Sequence, residues 1–210
     1  SVTGAGDFAV SAGTVNFNTG SSYTVTSPLV LTGGTINFSP GSDQTLPSLT
    51  QSGGTLTGTS AVTVTGATLW TGGSMTSTIS TTTTTVSGGL TISGAGGTLT
   101  TRTLTIPSGA TVTMSANLTA STGPTVNNNG TFEVTTDADF VFGGGSSVFN
   151  NTGTFRKLAG TGLTSCGWSS FNNSGTMEIL SGSFTPAAGT HTGSLLIAAG
   201  ATLAHGASVI

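Results

Sequence analysis

Short alternations of one large apolar residue with polar neighbours recur along the whole chain. Gly13-Thr14-Val15-Asn16-Phe17, Gly34-Thr35-Ile36-Asn37-Phe38, Gly54-Thr55-Leu56-Thr57 and Gly73-Ser74-Met75-Thr76 begin the series. Gly130-Thr131-Phe132-Glu133, Gly153-Thr154-Phe155-Arg156 and Gly175-Thr176-Met177-Glu178 continue it. Period-two alternation is the pattern of a strand with one buried face. Its return about every twenty residues marks a solenoid or array of small supersecondary units. No stretch places apolar residues at i, i+3, i+4 and i+7 between caps, so no helix is predicted. The left-handed hexapeptide form would repeat every eighteen or so residues, and the longer, variable spacing here favours the right-handed form. The pattern therefore predicts an all-β, right-handed parallel β-helix, with residues 1–210 forming one domain. It divides into about ten coils of roughly 18–23 residues. At about 4.8 Å per coil the rod would be about 50 Å long.

Stacking the copies predicts columns. Val15, Ile36, Leu56, Met75, Phe132, Phe155 and Met177 are expected to form a single inward ladder, because alternate strand residues point to opposite faces. Their outward neighbours are Asn16, Asn37, Thr57, Thr76, Glu133, Arg156 and Glu178, and the last three would make an acid–base–acid ladder. Asn127-Asn128, Asn150-Asn151 and Asn172-Asn173 each precede a Gly-Thr at a constant offset. Asn tolerates turns, and stacked amides bond to one another, so Asn128, Asn151 and Asn173 are expected to form a structural ladder at a coil corner. Between Gly73 and Gly130 the register stays open. Coils beginning near Gly88-Gly89-Leu90 and Gly109-Ala110-Thr111-Val112 compete with one beginning at Gly97-Thr98-Leu99.

Composition narrows the partners. Charged residues are 4% of the chain, and the net charge is −3. Arg102, Arg156 and Lys157, the three basic residues, make no track for phosphates, which argues against nucleic acid. No apolar run is long enough to cross a bilayer as a helix. Short segments without aromatic girdles argue against a membrane barrel. Cys166 is the single cysteine, so the chain holds no internal disulfide, and a small half-buried side chain is expected there.

Asn150-Asn151-Thr152-Gly153-Thr154-Phe155-Arg156-Lys157 is followed by Phe171-Asn172-Asn173-Ser174-Gly175-Thr176-Met177-Glu178. These runs resemble the Asn-Asn-x-Gly-Thr repeats of large bacterial surface proteins of the filamentous-haemagglutinin and autotransporter-passenger class. Gly189-Thr190-His191-Thr192-Gly193-Ser194-Leu195 and Ala199-Gly200-Ala201-Thr202-Leu203 continue the likeness, which is clear over residues 126–206. The resemblance implies a secreted or cell-surface location and a structural or adhesive role, with no particular ligand.

The candidate chemistry is sparse. Asp137 and Asp139, two apart, would lie on one side of a strand about 7 Å apart, a spacing open to glycoside hydrolysis or calcium. Phe140-Val141-Phe142 follows at once and no basic residue is near in sequence, so an exposed acidic corner is expected. His191 and His205 have no carboxylate near them in sequence and read as turn residues. Thr63-x-Thr65, Thr83-x-Thr85 and Thr103-x-Thr105 recur every twenty residues, and stacked they would form a hydroxyl grid suited to ice. Against this, threonine is common on any outward strand face, and Asp43 and Gln44 would interrupt the column.

The expected function is a non-catalytic extracellular rod without cofactor or metal, either a filament-forming subunit or an adhesin stalk. Ice binding is the alternative, and a polysaccharide-binding or polysaccharide-cleaving β-helix the next. The alternation runs from Phe8-Ala9-Val10 to Ser208-Val209-Ile210 without a charged or helical cap. End-to-end contacts with copies or flanking repeats are therefore the expected partners, with a host or surface glycan beside them.

Overall fold

The structure is a computed structural model that describes residues 2–204. His205 and the Ser208-Val209-Ile210 end of the alternation lie outside the described residues. The chain is an all-β parallel solenoid of about ten turns, without a helix among the described residues. Each coil visits three faces in the same order. The second face is one sheet of ten parallel strands, from Phe8–Val10 to Ser194–Ile197. The first face carries a two-stranded sheet, Val2–Gly4 with Tyr23–Val25, then seven strands from Gln44–Leu46 to Ser170–Asn173. The third has seven strands from Thr14–Phe17 to Phe140–Phe142, then a three-stranded sheet beginning at Leu163–Ser165. Strand partners one coil apart are separated by as few as 18 residues (Met177 and Leu195) and as many as 24 (Met75 and Leu99).

The core runs down the axis. Aromatic side chains fill it at two levels: Phe8, Phe17, Tyr23 and Phe38 near one end, and Phe132, Phe140, Phe149, Phe155, Phe171 and Phe184 toward the other. Between them the apolar filling has no aromatic side chain apart from Trp70, whose indole lies against Gly97. A Cβ there would come within 2.5 Å of the ring, so only glycine fits.

The single inward column divides in two. Val15, Ile36, Leu56 and Met75 stack on the third face, whereas Phe132, Phe155 and Met177 stack on the second. The physical reason is that Gly-Thr serves two different corners. Gly54, between the second and third faces, has φ +63°, a left-handed turn that glycine enters without strain. Gly153, between the first and second faces, is needed for close approach, since a Cβ would sit 2.1 Å from the carbonyl oxygen of Gly130. The open register between Gly73 and Gly130 resolves by the same division. Leu90 pairs with Val112 on the second face, while Leu99 lies between Met75 and Ala120 on the third. Both candidate beginnings exist, one on each face.

Candidate functional site

Three outward surfaces and two buried cations hold the polar chemistry of the rod. On the first face the threonine grid differs from its sequence expectation. Thr83 and Thr85 do stack on Thr103 and Thr105, but Thr63 pairs with Thr85, which leaves Thr65 beyond the strand. The loop over residues 77–82 is longer than the corresponding loop over 58–61, which makes this coil 22 residues rather than twenty. Gln44 does not interrupt the column either. It points inward, its amide donating to Ser42 O and Asp43 O, and Thr45 continues the outward row below Thr63. Thr103 is itself buried and donates its hydroxyl to Ser80 O, so this grid is short and uneven.

The third face carries the more regular array, which includes the outward Asn37, Thr57 and Thr76 that the repeat predicts. Thr35, Thr55, Ser74, Thr98 and Thr119 stack in one outward column, and Asn37, Thr57, Thr76, Thr100 and Ser121 in the next. The signal was present in the Gly-Thr motif, because the residue before and the residue after each inward apolar side chain both face outward.

Asn128, Asn151 and Asn173 form a buried ladder, each 2% exposed or less. Asn128 Nδ2 donates to Asn151 Oδ1 at 2.7 Å, and Asn151 Nδ2 to Asn173 Oδ1 at 2.6 Å. The same amides reach across the corner to Thr154 O and Thr176 O. They are the last inward residues of their first-face strands, so they tie the first face to the second. A second, half-buried ladder runs outside it: Asn172 donates to Asn150 at 2.9 Å and Asn150 to Asn127 at 3.0 Å.

The acid–base–acid row forms as expected on the second face. Arg156 lies 3.2 Å from Glu133 and 2.5 Å from Glu178. Arg156 is about a third exposed, so each pair contributes under about 1 kcal/mol. The other two basic residues are fully buried. Parity would have found them: Arg102 shares its inward side with Leu104 and Ile106, and Lys157 with Phe155. Thr101 adopts φ 52°, unusual for a β-branched residue, immediately before Arg102 turns inward. The Arg102 guanidinium donates to Thr84 Oγ1 at 2.6 Å and to Thr76 O and Thr83 O at 3.1 Å, stapling carbonyls of the preceding coil. Burial pulls its pKa down to about 10.

Lys157 Nζ donates to Thr136 O, to Ala159 O at 2.7 Å and to Asp137 Oδ1 at 2.7 Å. Asp137 and Asp139 lie in a loop rather than on a strand, and Asp139 Oδ1 accepts from the backbone of Ser165. The acidic corner thus has a cation that comes from the next coil. The bond from Lys157 holds the Asp137 carboxyl below its usual range. Folded Asp137 binds its proton less readily than unfolded Asp137, so its contribution is complete above the unfolded pKa and fades as pH falls. Thermal melts are expected to show an acid-side loss of stability beginning near about pH 4, and Asp137→Asn should shrink that loss. An unchanged acid limb would contradict the assignment.

Cys166 is buried, and desolvation raises its thiol to about 11. It is expected to resist alkylation at pH 8 in the folded chain and react fully in denaturant, since the thiolate is the nucleophile. Rapid labelling of the native protein would refute this. The His191 ring stacks on Phe171 with centroids 6.1 Å apart, and its backbone bridges to Asn173. No protein-family model, curated protein or solved structure matches the chain.

Proposed function

We propose that this chain is an extracellular structural rod, a stalk or filament segment of a surface protein, with no catalytic role. The observation that carries the reading is the second-face sheet, whose ten parallel strands run through every coil. Such an array transmits load and fixes a length of about 50 Å without a ligand. Asp137 and Asp139, the acidic pair considered for catalysis, are engaged by Lys157 and the Ser165 backbone, which favours structure over hydrolysis. Leu195, Leu196 and Ile197 are each about half exposed on the Ser194–Ile197 strand, an edge that another coil would cover. That coil would come from a flanking repeat or a second copy. Negative-stain microscopy over a concentration series tests the reading. Filaments identify assembly through the ends, dispersed rods identify a stalk, and compact particles without an axis refute both.

Ice binding is a second reading, and the third face favours it. Its two columns place hydroxyls and methyls about 4.8 Å apart between coils and about 7 Å apart along each strand, in a charge-free plane. Inhibition of ice recrystallisation that Thr76→Tyr abolishes would establish it. Ordinary crystal growth in the presence of the parent chain would end it.

A further inference from the structure

The outer asparagine ladder has a feature that structural duty leaves unused. It floors a groove of about 340 Å³ along the first face, walled by Thr152, Ser174 and Thr192. A primary amide has two N–H donors and a carbonyl with two lone pairs. Asn150 uses one donor toward Asn127 and one lone pair for Asn172, so it keeps one of each. Asn172 accepts from Ser170 Oγ and Thr190 N, which fills its oxygen and leaves an N–H. The groove therefore presents unused amide groups at about 4.8 Å intervals along the rod axis.

We propose that this groove binds an extended, neutral polysaccharide lying parallel to the rod axis; the proposal rests on the surface-rod reading. A donor beside an acceptor on one amide matches two neighbouring sugar hydroxyls, and the coil spacing is close to the advance of one sugar unit in an extended chain. No residue lining the groove is charged, so a uronic-acid or sulfated chain gains no ion pair there. A peptide strand has no edge to pair with at Val148–Asn151, which is already paired on both sides. Each exposed hydrogen bond contributes little on its own. Retention comes from several coils acting on one chain.

The test is affinity electrophoresis of the native chain in gels cast with soluble neutral β-glucan, with polygalacturonate, or with no polymer. The expected result is retardation in the β-glucan gel alone, reduced at least several-fold by Asn150→Ala. Thr192→Val keeps its shape while removing a rim hydroxyl, and is expected to weaken retardation should Asn150→Ala melt early. Asn37→Ala, in the analogous third-face ladder, should leave retardation unchanged. Unretarded parent protein, retardation confined to polygalacturonate, or equal loss with Asn37→Ala overturns the proposal. Rods or filaments seen by microscopy beside unretarded migration would remove the groove's role and leave the rod reading standing.

Discussion

Phe155→Ala is expected to lower the stability of the rod by about 3–5 kcal/mol, the cost of emptying a fully buried aromatic site. Phe155 is 0% exposed and touches aromatic rings from three coils: Phe132 and Phe140 on one side, Phe149 in its own coil, and Phe171 and Phe184 beyond. Its nearest ring, Phe184, lies at 4.7 Å. The cavity would be walled by stiff rings held at strand spacing, which leaves little room for collapse. Because a solenoid is coupled coil to coil, the loss should spread unevenly. Hydrogen exchange is expected to rise first in the strands around Thr131–Val134 and Thr176–Ile179, while the aliphatic coils near Ile36 and Leu56 keep their protection. Calorimetry supplies the magnitude, with the outward Thr113→Ala as control. A shift no larger than that control would mean that Phe155 is not where the core is built.

The repeat was legible because each strand must hide alternate residues, and hiding leaves a mark of period two. The burial of Ile36, Leu56, Met75, Phe132, Phe155 and Met177 follows from that mark alone. What period two does not specify is which side of the prism a strand belongs to. Gly54 and Gly153 carry the same two-letter motif for different reasons, a left-handed turn in one case and close approach in the other. Reading them as one column was therefore an error of corner, not of strand. Register failed at Thr63 for a related cause: two extra loop residues shift a partner by one full repeat of the pleat while keeping the same side outward. The cations were missed differently. Arg102 and Lys157 obey parity, but the carbonyls that make their burial possible include ones from the neighbouring coil, Thr76 O for Arg102 and Thr136 O for Lys157. Partners that only the stack brings together carry no local sequence signal.

The buried asparagines show how a column can give up stability and gain register. Below them the same inward column is aliphatic, running from Leu46 through Val64 and Val86 to Ile106, which pairs with Asn128. Isoleucine cannot donate, and Asn128 Oδ1 is buried without a hydrogen-bond partner. Asn151 stands at the centre, and Asn151→Leu would strip donors from Asn173 Oδ1 and Thr176 O at once. With each orphaned buried acceptor costing about 1–3 kcal/mol, the single substitution is expected to cost about 2–5 kcal/mol. Replacing Asn128, Asn151 and Asn173 together by Leu is a different experiment. It removes the orphan at Asn128, extends the aliphatic column of Ile106, and leaves only the cross-corner carbonyls short of a donor. The triple variant should therefore melt no lower than the single one, a coupling that independent sites do not show. Three additive losses would mean that each amide is held by its corner carbonyl and that the ladder contributes nothing. A triple variant that keeps its melting temperature but shows heterogeneous exchange in the Val148–Asn151 strand would identify what the amides supply. Leucines slide past one another, whereas an asparagine bonds only to the asparagine directly above or below it.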